Sequence, residues 1–229
     1  MLVDNIDRMR SKLSKEHEEK LRRLQKRIAK KVILKDEFPK PIKTISGFDL
    51  ALSNDKTVVT GVVLDYKSLY VKEIKSLIIN LSFPYVPTFL TFREGPPIIK
   101  VYKKLKIKPD IVMINGQGIC HPLFCGIASH VGVLLDVPSI DVAQSRLVGK
   151  YKEPIKVETY SSIKYKNKKV GYAYKSKENC KPIIISQGHK VSVDTSLKIT
   201  KKCIKNHKLP EPIFLAHKIS NKIINTENI

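Results

Sequence analysis

The amino-acid sequence predicts an α/β fold in which helices cover both faces of one mixed sheet. The first observation is a run of three strand-like segments at hairpin spacing, residues 44–52, 57–66 and 71–82, which predicts an antiparallel meander. The second observation is a later alternation of short apolar strands, at 110–115 and 139–143, with helical segments. Strands that alternate with helices are typically parallel, so the same sheet should contain both kinds of pairing.

The remaining segments complete this pattern. Apolar residues recur every three or four positions between about 4 and 33, which predicts a long amphipathic N-terminal helix that ends before Pro39. Asn54 and Asp55 predict a turn. The other expected elements are helices at 96–105, 126–135, 194–206 and 212–224, a hairpin near 168–174 and a strand at 182–186. We interpret residues 1–229 as a single domain with the ribonuclease H-like architecture.

Composition limits the classes of function. The 229 residues include 43 Lys and Arg against 21 Asp and Glu, a formal net charge of +22. This charge favours a polyanionic partner, with nucleic acid first and an anionic membrane surface second, although a lysine-rich surface alone would give the same balance. No apolar run is long enough to cross a bilayer, and the N-terminus lacks the pattern of a signal peptide. The four cysteines show no CxxC spacing, so we expect a cytoplasmic protein with reduced cysteines.

Two acidic residues stand where an α/β sheet places a site. Asp49 lies between Phe48 and Leu50 in an apolar strand, and a buried carboxylate is costly unless it is paired or bound to a metal. The alternative for Asp49 is a side chain on the solvent face of the strand. Glu94 follows a loop in which Pro84 and Pro87 hold Tyr85. That stiff loop suits an aromatic wedge or a stacking platform for bases, while the alternative is an ordinary packed tyrosine.

The densest polar stretch follows the strand at 110–115. Gly116 and Gly118 come directly after Asn115 and would let a ligand approach the backbone closely. His121 is held in place by the proline that follows it. Three further histidines, His130, His189 and His217, are more often structural than catalytic when each is considered alone.

Taken together, these segments resemble the endonuclease V family, whose members nick nucleic acid near deaminated adenine, that is, inosine. The resemblance spans nearly the whole chain and rests on segments that occur in the family's order. They are ISGFD at 45–49, PYVP at 84–87, FRE at 92–94, NGQG at 115–118, HP at 121–122, GIASH at 126–130, RLVG at 146–149, SQGH at 186–189 and LPEP at 209–212.

The resemblance implies a metal-dependent phosphodiester hydrolase that acts on inosine-containing DNA, or on RNA, and cuts 3′ to the lesion. It implies Mg²⁺, with Mn²⁺ as a substitute, because hard divalent cations prefer oxygen ligands. The implied metal ligands are Asp49, Glu94 and Asn115, and the implied catalytic residues are these three with Gln144 and His217. The implied wedge is Pro84, Tyr85, Val86 and Pro87, and the implied base pocket is Leu90, Gly116, His121 and Leu147. We expect a monomer with no membrane partner.

The chain departs from the family pattern at chemically sensitive positions. The family has an acid where this chain has Asn115, and it usually has Lys where this chain has Gln144. A carboxamide is neutral and binds a cation more weakly than a carboxylate. Thr88 and Asp141 stand where Gly is usual, and Leu123 stands where Arg is usual. Asp141 is expected at the surface or at a strand end, although it could partly compensate for the acid lost at Asn115.

Three interpretations therefore stay open. The first is an inosine-directed endonuclease, active or weakened by these departures. The second is a relative that binds inosine-containing nucleic acid without cutting it. The third is a basic structural protein, for example one associated with the ribosome, and the ordered motifs argue against it.

Overall fold

The computed structural model describes residues 14–53, 56–81 and 83–226 and contains one large sheet. The helices are α1 (Lys15–Ala29), α2 (Leu90–Lys104), α3 (Ile127–Leu135), α4 (Val193–Lys202) and α5 (Glu211–Thr226). The strands are β1 (Thr44–Leu52), β2 (Thr57–Asp65), β3 (Val71–Ile79), β4 (Ile111–Ile114), β5 (Ser139–Ala143), β6 (Tyr160–Tyr165), β7 (Lys168–Tyr174) and β8 (Ile183–His189). None of the helices in the described part of the chain is long and apolar enough to span a membrane.

The eight strands form a mixed sheet in the order β3-β2-β1-β4-β5-β8-β7-β6. Strands β1, β2 and β3 pair antiparallel, and β1, β4 and β5 pair parallel. Strand β8 pairs antiparallel with β5 on one side and with β7 on the other, and β7 forms a hairpin with β6. The predicted mixed sheet, with an antiparallel meander continued by parallel strands, is therefore confirmed.

Helices cover both faces of this sheet, as the sequence predicts. On one face, α4 and α5 bury side chains such as Leu197 and Ile213 against Ile45. On the other face, α2 and α3 pack around Phe48 and Ile98. Ile45 and Phe48 belong to opposite faces because successive side chains of a strand alternate.

Helix α5 lies unusually close to β1. A Cβ atom added at Gly47 would lie 2.2 Å from the carbonyl carbon of Pro212, in the first turn of α5. Only glycine leaves room for this approach of backbone to backbone. Asp49 lies two residues further along β1 and thus on the same face, so the contact at Gly47 also brings α5 over Asp49.

The N-terminal helix is shorter than predicted at its C-terminal end. Ser14 caps α1 by accepting a hydrogen bond from the backbone N–H of His17 at 3.2 Å, and the helix ends at Ala29 instead of about residue 33. The backbone after the helix forms hydrogen bonds with a distant part of the chain. The Ile33 N–H donates to His189 Nδ1 at 3.2 Å, and the Ile33 carbonyl accepts from the backbone N–H of Lys190. The predicted helical residues before Ser14 lie outside the described part of the chain, as does the predicted turn at Asn54 and Asp55.

Helix α2 begins earlier than the sequence predicts. The expected start was residue 96, whereas the helix begins at Leu90 and contains Pro96 and Pro97 in its interior. A proline lacks a backbone N–H and is therefore common in the first turn of a helix, where that N–H would have no partner. For this reason the sequence pattern favours a helix start at Pro96. The consequence for function is that Glu94 lies on the helix and not on the preceding loop.

Thr88, in the turn before α2, adopts a left-handed backbone with φ of 73°. A β-branched residue is strained there, typically by about 1–3 kcal/mol, whereas glycine adopts this conformation freely. We expect Thr88→Gly to raise the free energy of unfolding by roughly 1 kcal/mol, after the greater chain entropy of glycine is subtracted. Urea denaturation measures this change, with Thr88→Ala as the control that keeps the strain. A Thr88→Gly protein less stable than the parent would contradict the assignment of strain.

Candidate active site

The predicted site residues meet at the edge of the sheet where the parallel strands end. Asp49 lies near the end of β1, Asn115 follows β4, and Gln144 follows β5. In open α/β sheets, ligands bind at this edge. A cavity opens there, and the predicted residues in its wall are Asp49, Tyr85, Val86, Pro87, Leu90, Glu94, Asn115, Gly116, His121, Gln144 and Leu147. Pro84 and His217 are not in the cavity wall.

Asp49 is a buried carboxylate held by two side chains from distant parts of the chain. Asn115 Nδ2 donates to Asp49 Oδ1 at 2.8 Å, and His217 Nδ1 donates to Asp49 Oδ2 at 2.7 Å. Burial raises the pKa of the Asp49 carboxyl, and the hydrogen bonds from Asn115 and His217 counteract part of that rise. The solvent-facing alternative for Asp49 is therefore wrong, since only 5% of the residue is exposed.

His217 reaches this site from α5 and contacts Asp49 from behind the cavity wall. Its side chain is about half exposed, and Asn221 one turn later donates to the His217 carbonyl at 2.8 Å. The other ring nitrogen, Nε2, lies 3.2 Å from Asn221 Nδ2 on the same helix. The contact thus fixes the orientation of the His217 ring relative to Asp49.

Glu94 shares the cavity wall with Asp49. The pKa of Glu94 is raised to about 7, chiefly by burial and in smaller part by the negative charge of Asp49, while Arg93 opposes the rise. Two carboxyl groups that face one cavity disfavour each other's charged form unless a cation lies between them. This electrostatic arrangement suits a cation-binding site.

The oxygen donors in the cavity suit a hard divalent cation, although the set is small. Within the described residues, no three His, Cys, Asp or Glu side chains form a group that could hold a metal ion. The donors that line the cavity are the carboxylates of Asp49 and Glu94 and the carboxamide of Asn115. Hard cations prefer oxygen ligands and keep several waters when the protein supplies few, so these residues fit Mg²⁺ or Mn²⁺ with incomplete protein ligation.

The loop that carries Tyr85 forms one wall of the cavity. The Tyr85 side chain is at the rim, with 45% of the residue exposed, whereas Val86 is buried. The turn closes with a hydrogen bond from the backbone N–H of Phe89 to the carbonyl of Val86 at 2.9 Å. The packed-tyrosine alternative is not supported, because the ring is available at the mouth of the cavity.

The opposite wall contains Gly116 and His121. A Cβ atom at Gly116 would lie 2.2 Å from the Cγ2 atom of Ile127, so this position admits no side chain. His121 is buried, its Nε2 donates to the Thr88 carbonyl at 3.0 Å, and its Nδ1 accepts from the Leu123 N–H at 3.2 Å. Both ring nitrogens are thus engaged by the protein, and His121 joins the two walls of the cavity.

Asp141 is not a surface or strand-end residue, contrary to the sequence-based expectation. It lies in the middle of β5, is fully buried, and accepts a hydrogen bond from Ser186 Oγ at 3.1 Å. Burial raises the pKa of Asp141 well above its usual range, and the bond from Ser186 opposes this rise. Asp141 is also absent from the wall of the cavity, so it does not replace the acid missing at Asn115.

Two glutamines contribute contacts that the sequence analysis did not assign. Gln117 lines the cavity, and its Nε2 donates to the Ser145 carbonyl at 3.3 Å, which links the loops after β4 and β5. Gln25 of α1 is fully buried and contacts the turn at Thr88. A signal for Gln25 was present, because it falls four residues after Leu21 and three before Ile28, on the apolar stripe of the helix.

His121 gives the site a pH-dependent contribution to stability. Burial lowers the pKa of His121 to about 4, below the value of about 6.5 for an exposed histidine. The neutral ring therefore stabilises the fold above pH 6.5, and this stabilisation is lost as the pH falls from about 6.5 to about 4. We expect His121→Asn to make the free energy of unfolding less dependent on pH across this interval, as urea denaturation at several pH values would measure. An equal pH dependence in both proteins would contradict the assignment.

Comparison with known proteins agrees with this geometry. The profile of the family described as Endonuclease V matches residues 26–218. Endonuclease V of Dictyoglomus turgidum is 45% identical over 206 residues, which cover 90% of each chain. The crystal structure of endonuclease V from Bacillus subtilis superposes with a TM-score of 0.86 at 29% identity and covers 95% of each chain. Endonuclease V of Ciona intestinalis, solved with a 24mer DNA containing an inosine followed by a ribo-adenosine, has a TM-score of 0.81 at 27% identity and covers 93% of this chain and 99% of its own.

The profile match extends from within α1 to the residue after His217, so it includes every residue predicted for the site. The relative from Dictyoglomus turgidum is covered almost completely as well. The chain belongs to the endonuclease V family.

Proposed function

We propose that this protein is a metal-dependent endonuclease that hydrolyses a phosphodiester bond 3′ to inosine in nucleic acid, at a rate reduced by Asn115 and Gln144. One observation carries the proposal: the carboxylates of Asp49 and Glu94, the Tyr85 loop and a glycine-walled pocket share a single cavity. The family relationship supports it, and so does the relative from Ciona intestinalis that was crystallised with inosine-containing DNA. A net charge of +22 suits a nucleic-acid substrate.

Asp49 and Glu94 are the proposed metal ligands, with the Asn115 amide oxygen as a weaker third. When bound, Mg²⁺ or Mn²⁺ would activate a water molecule and offset negative charge at the phosphate. The Asn115 amide group would have to rotate, because in this structure its Nδ2 points at Asp49. His217 keeps the Asp49 carboxylate in place through its hydrogen bond, so its proposed role is to orient this metal ligand.

The base pocket would receive the flipped inosine. Gly116 lines the pocket without a side chain of its own, and Leu90 and Leu147 supply apolar contacts in the same cavity. Tyr85, exposed at the rim, would fill the gap that the flipped base leaves in the stack. His121 supports the pocket wall and does not read the base, because both of its ring nitrogens already have protein partners.

A second candidate function is binding of inosine-containing nucleic acid without cleavage. The hydrogen bond from Asn115 to Asp49 favours this candidate, since a donor is directed at a metal-ligand oxygen where the family pattern has an acid. Gln144, exposed at the cavity, also lacks the positive charge that the family's usual lysine would bring to the phosphate. Under either function, we predict a cytoplasmic monomer, and both DNA and RNA are candidate substrates.

A cleavage assay separates the two functions. The substrates are end-labelled DNA and RNA oligonucleotides with one inosine, the control is the same sequence with adenosine, and Mg²⁺ and Mn²⁺ are tested in turn. We expect the unmodified protein to cut slowly beside inosine, Asn115→Asp to cut about 10²–10³-fold faster, and Asp49→Asn not to cut. The double variant Asn115→Asp with Gln144→Lys tests whether the missing lysine contributes as well.

Other outcomes would point elsewhere. If the unmodified protein shifts the inosine oligonucleotide in a gel but never cuts it, while Asn115→Asp does cut, the binding function is correct. If Asp49→Asn cuts as fast as the unmodified protein, Asp49 is not a metal ligand and the proposed site is wrong.

A further inference from the structure

The N-terminal helix contacts both walls of the cavity through one side chain. Gln25 is fully buried, although α1 is otherwise a mostly exposed, highly charged helix. Its Nε2 donates to the carbonyl of Thr88 at 2.9 Å and to the carbonyl of Cys125 at 3.2 Å. A buried amide is costly without partners, and these two bonds satisfy Nε2, whereas Oε1 has no hydrogen-bond partner among the described residues.

The two carbonyl groups belong to opposite walls. Thr88 ends the loop that carries Tyr85, and Cys125 directly precedes Gly126, which lines the other wall. The Gly126 N–H donates to the carbonyl of Gly118 at 2.8 Å, so Cys125 is connected to the glycine-rich loop after β4. Gln25 therefore joins the Tyr85 loop to the loop of the base pocket from behind the cavity.

The Thr88 carbonyl is held by two donors. Gln25 Nε2 donates at 2.9 Å and His121 Nε2 at 3.0 Å, and a carbonyl oxygen has two lone pairs to accept them. The same turn carries the strained backbone of Thr88, which persists only if the surroundings over-determine it. Arg22, one turn earlier on the same helix face, places its guanidinium 5.1 Å from the ring centre of the buried Phe89. Helix α1 thus contacts two consecutive residues at the end of the Tyr85 loop.

We propose that Gln25 is a positioning residue that fixes the separation of the Tyr85 loop from the base pocket, and thereby sets the discrimination between inosine and adenosine. The role in discrimination rests on the proposed function. The positioning role does not, because it concerns only how α1 restrains the two walls of the cavity. Gln25 does not line the cavity, so any effect on nucleic acid must act through the residues it holds.

The test compares Gln25→Met with Ile28→Ala. Methionine keeps the length of the side chain and removes both N–H donors, whereas Ile28→Ala removes buried apolar volume from the same helix and leaves Gln25 intact. Each protein is studied at the same interval below its own midpoint of thermal unfolding, so that a general loss of stability affects both equally. The first readout is amide hydrogen exchange of residues 83–92, and the second is the ratio of dissociation constants for adenosine and inosine oligonucleotides.

We expect faster exchange in residues 83–92 for Gln25→Met but not for Ile28→Ala. We also expect the ratio of dissociation constants to fall about ten-fold in Gln25→Met only, as the loss of one or two buried hydrogen bonds implies. Unchanged exchange in Gln25→Met would overturn the positioning role. Faster exchange with an unchanged ratio would overturn the role in discrimination.

The two readouts also separate this inference from the proposed function. If the unmodified protein shows no preference for inosine, the proposed function and the role in discrimination both fail. In that event hydrogen exchange still decides whether Gln25 restrains the Tyr85 loop.

Discussion

A buried carboxylate needs hydrogen bonds or a cation, and Asp49 obtains its two hydrogen bonds from parts of the chain that only the complete fold brings together. Asn115 lies 66 residues away and His217 lies 168 residues away in sequence. The first contact requires β1 and β4 to be parallel neighbours, so that the residue after β4 lies beside Asp49. The second requires α5 to lie close to β1, which Gly47 permits. The strand order of the sheet and the packing of α5 together determine the hydrogen bonds of the Asp49 side chain.

The charges around Asp49 determine the rate that we expect under the proposed function. Asp49 and Glu94 supply carboxyl groups that a bound cation would hold in the charged form, but Asn115 and Gln144 are both neutral. Compared with the pattern that the resemblance implies, the proposed site lacks one acid for the metal and one base for the phosphate. Asp141 does not add a negative charge to the cavity, because it is fully buried beneath the loop after β4 and accepts a hydrogen bond from Ser186. Cleavage at a reduced rate is therefore what the proposed function predicts for this set of charges.

Local patterns in the sequence predicted most of the fold. The bounds of β1 and β5 agree with the prediction, because alternation and apolar runs are strong signals for strands. The start of α2 was predicted too late, because two prolines usually mark a helix start and here lie inside it. The end of α1 depends on tertiary hydrogen bonds to the loop after β8, which no local pattern reveals. Family motifs predicted the proposed site residues, most of which line one cavity, whereas the positions of Gln25 and Asp141 follow only from burial and from long-range contacts.

The most direct test of the central claim is a calorimetric titration of Mn²⁺ and Mg²⁺ into the protein without nucleic acid. The account predicts weak binding by the unmodified protein, tighter binding by Asn115→Asp, and loss of binding in both Asp49→Asn and Glu94→Gln. This order follows because a carboxylate binds a hard cation more strongly than a carboxamide does. Equal affinity in the unmodified protein and in Asp49→Asn would show that the Asp49 carboxylate does not hold the metal, and the account of the site would be wrong.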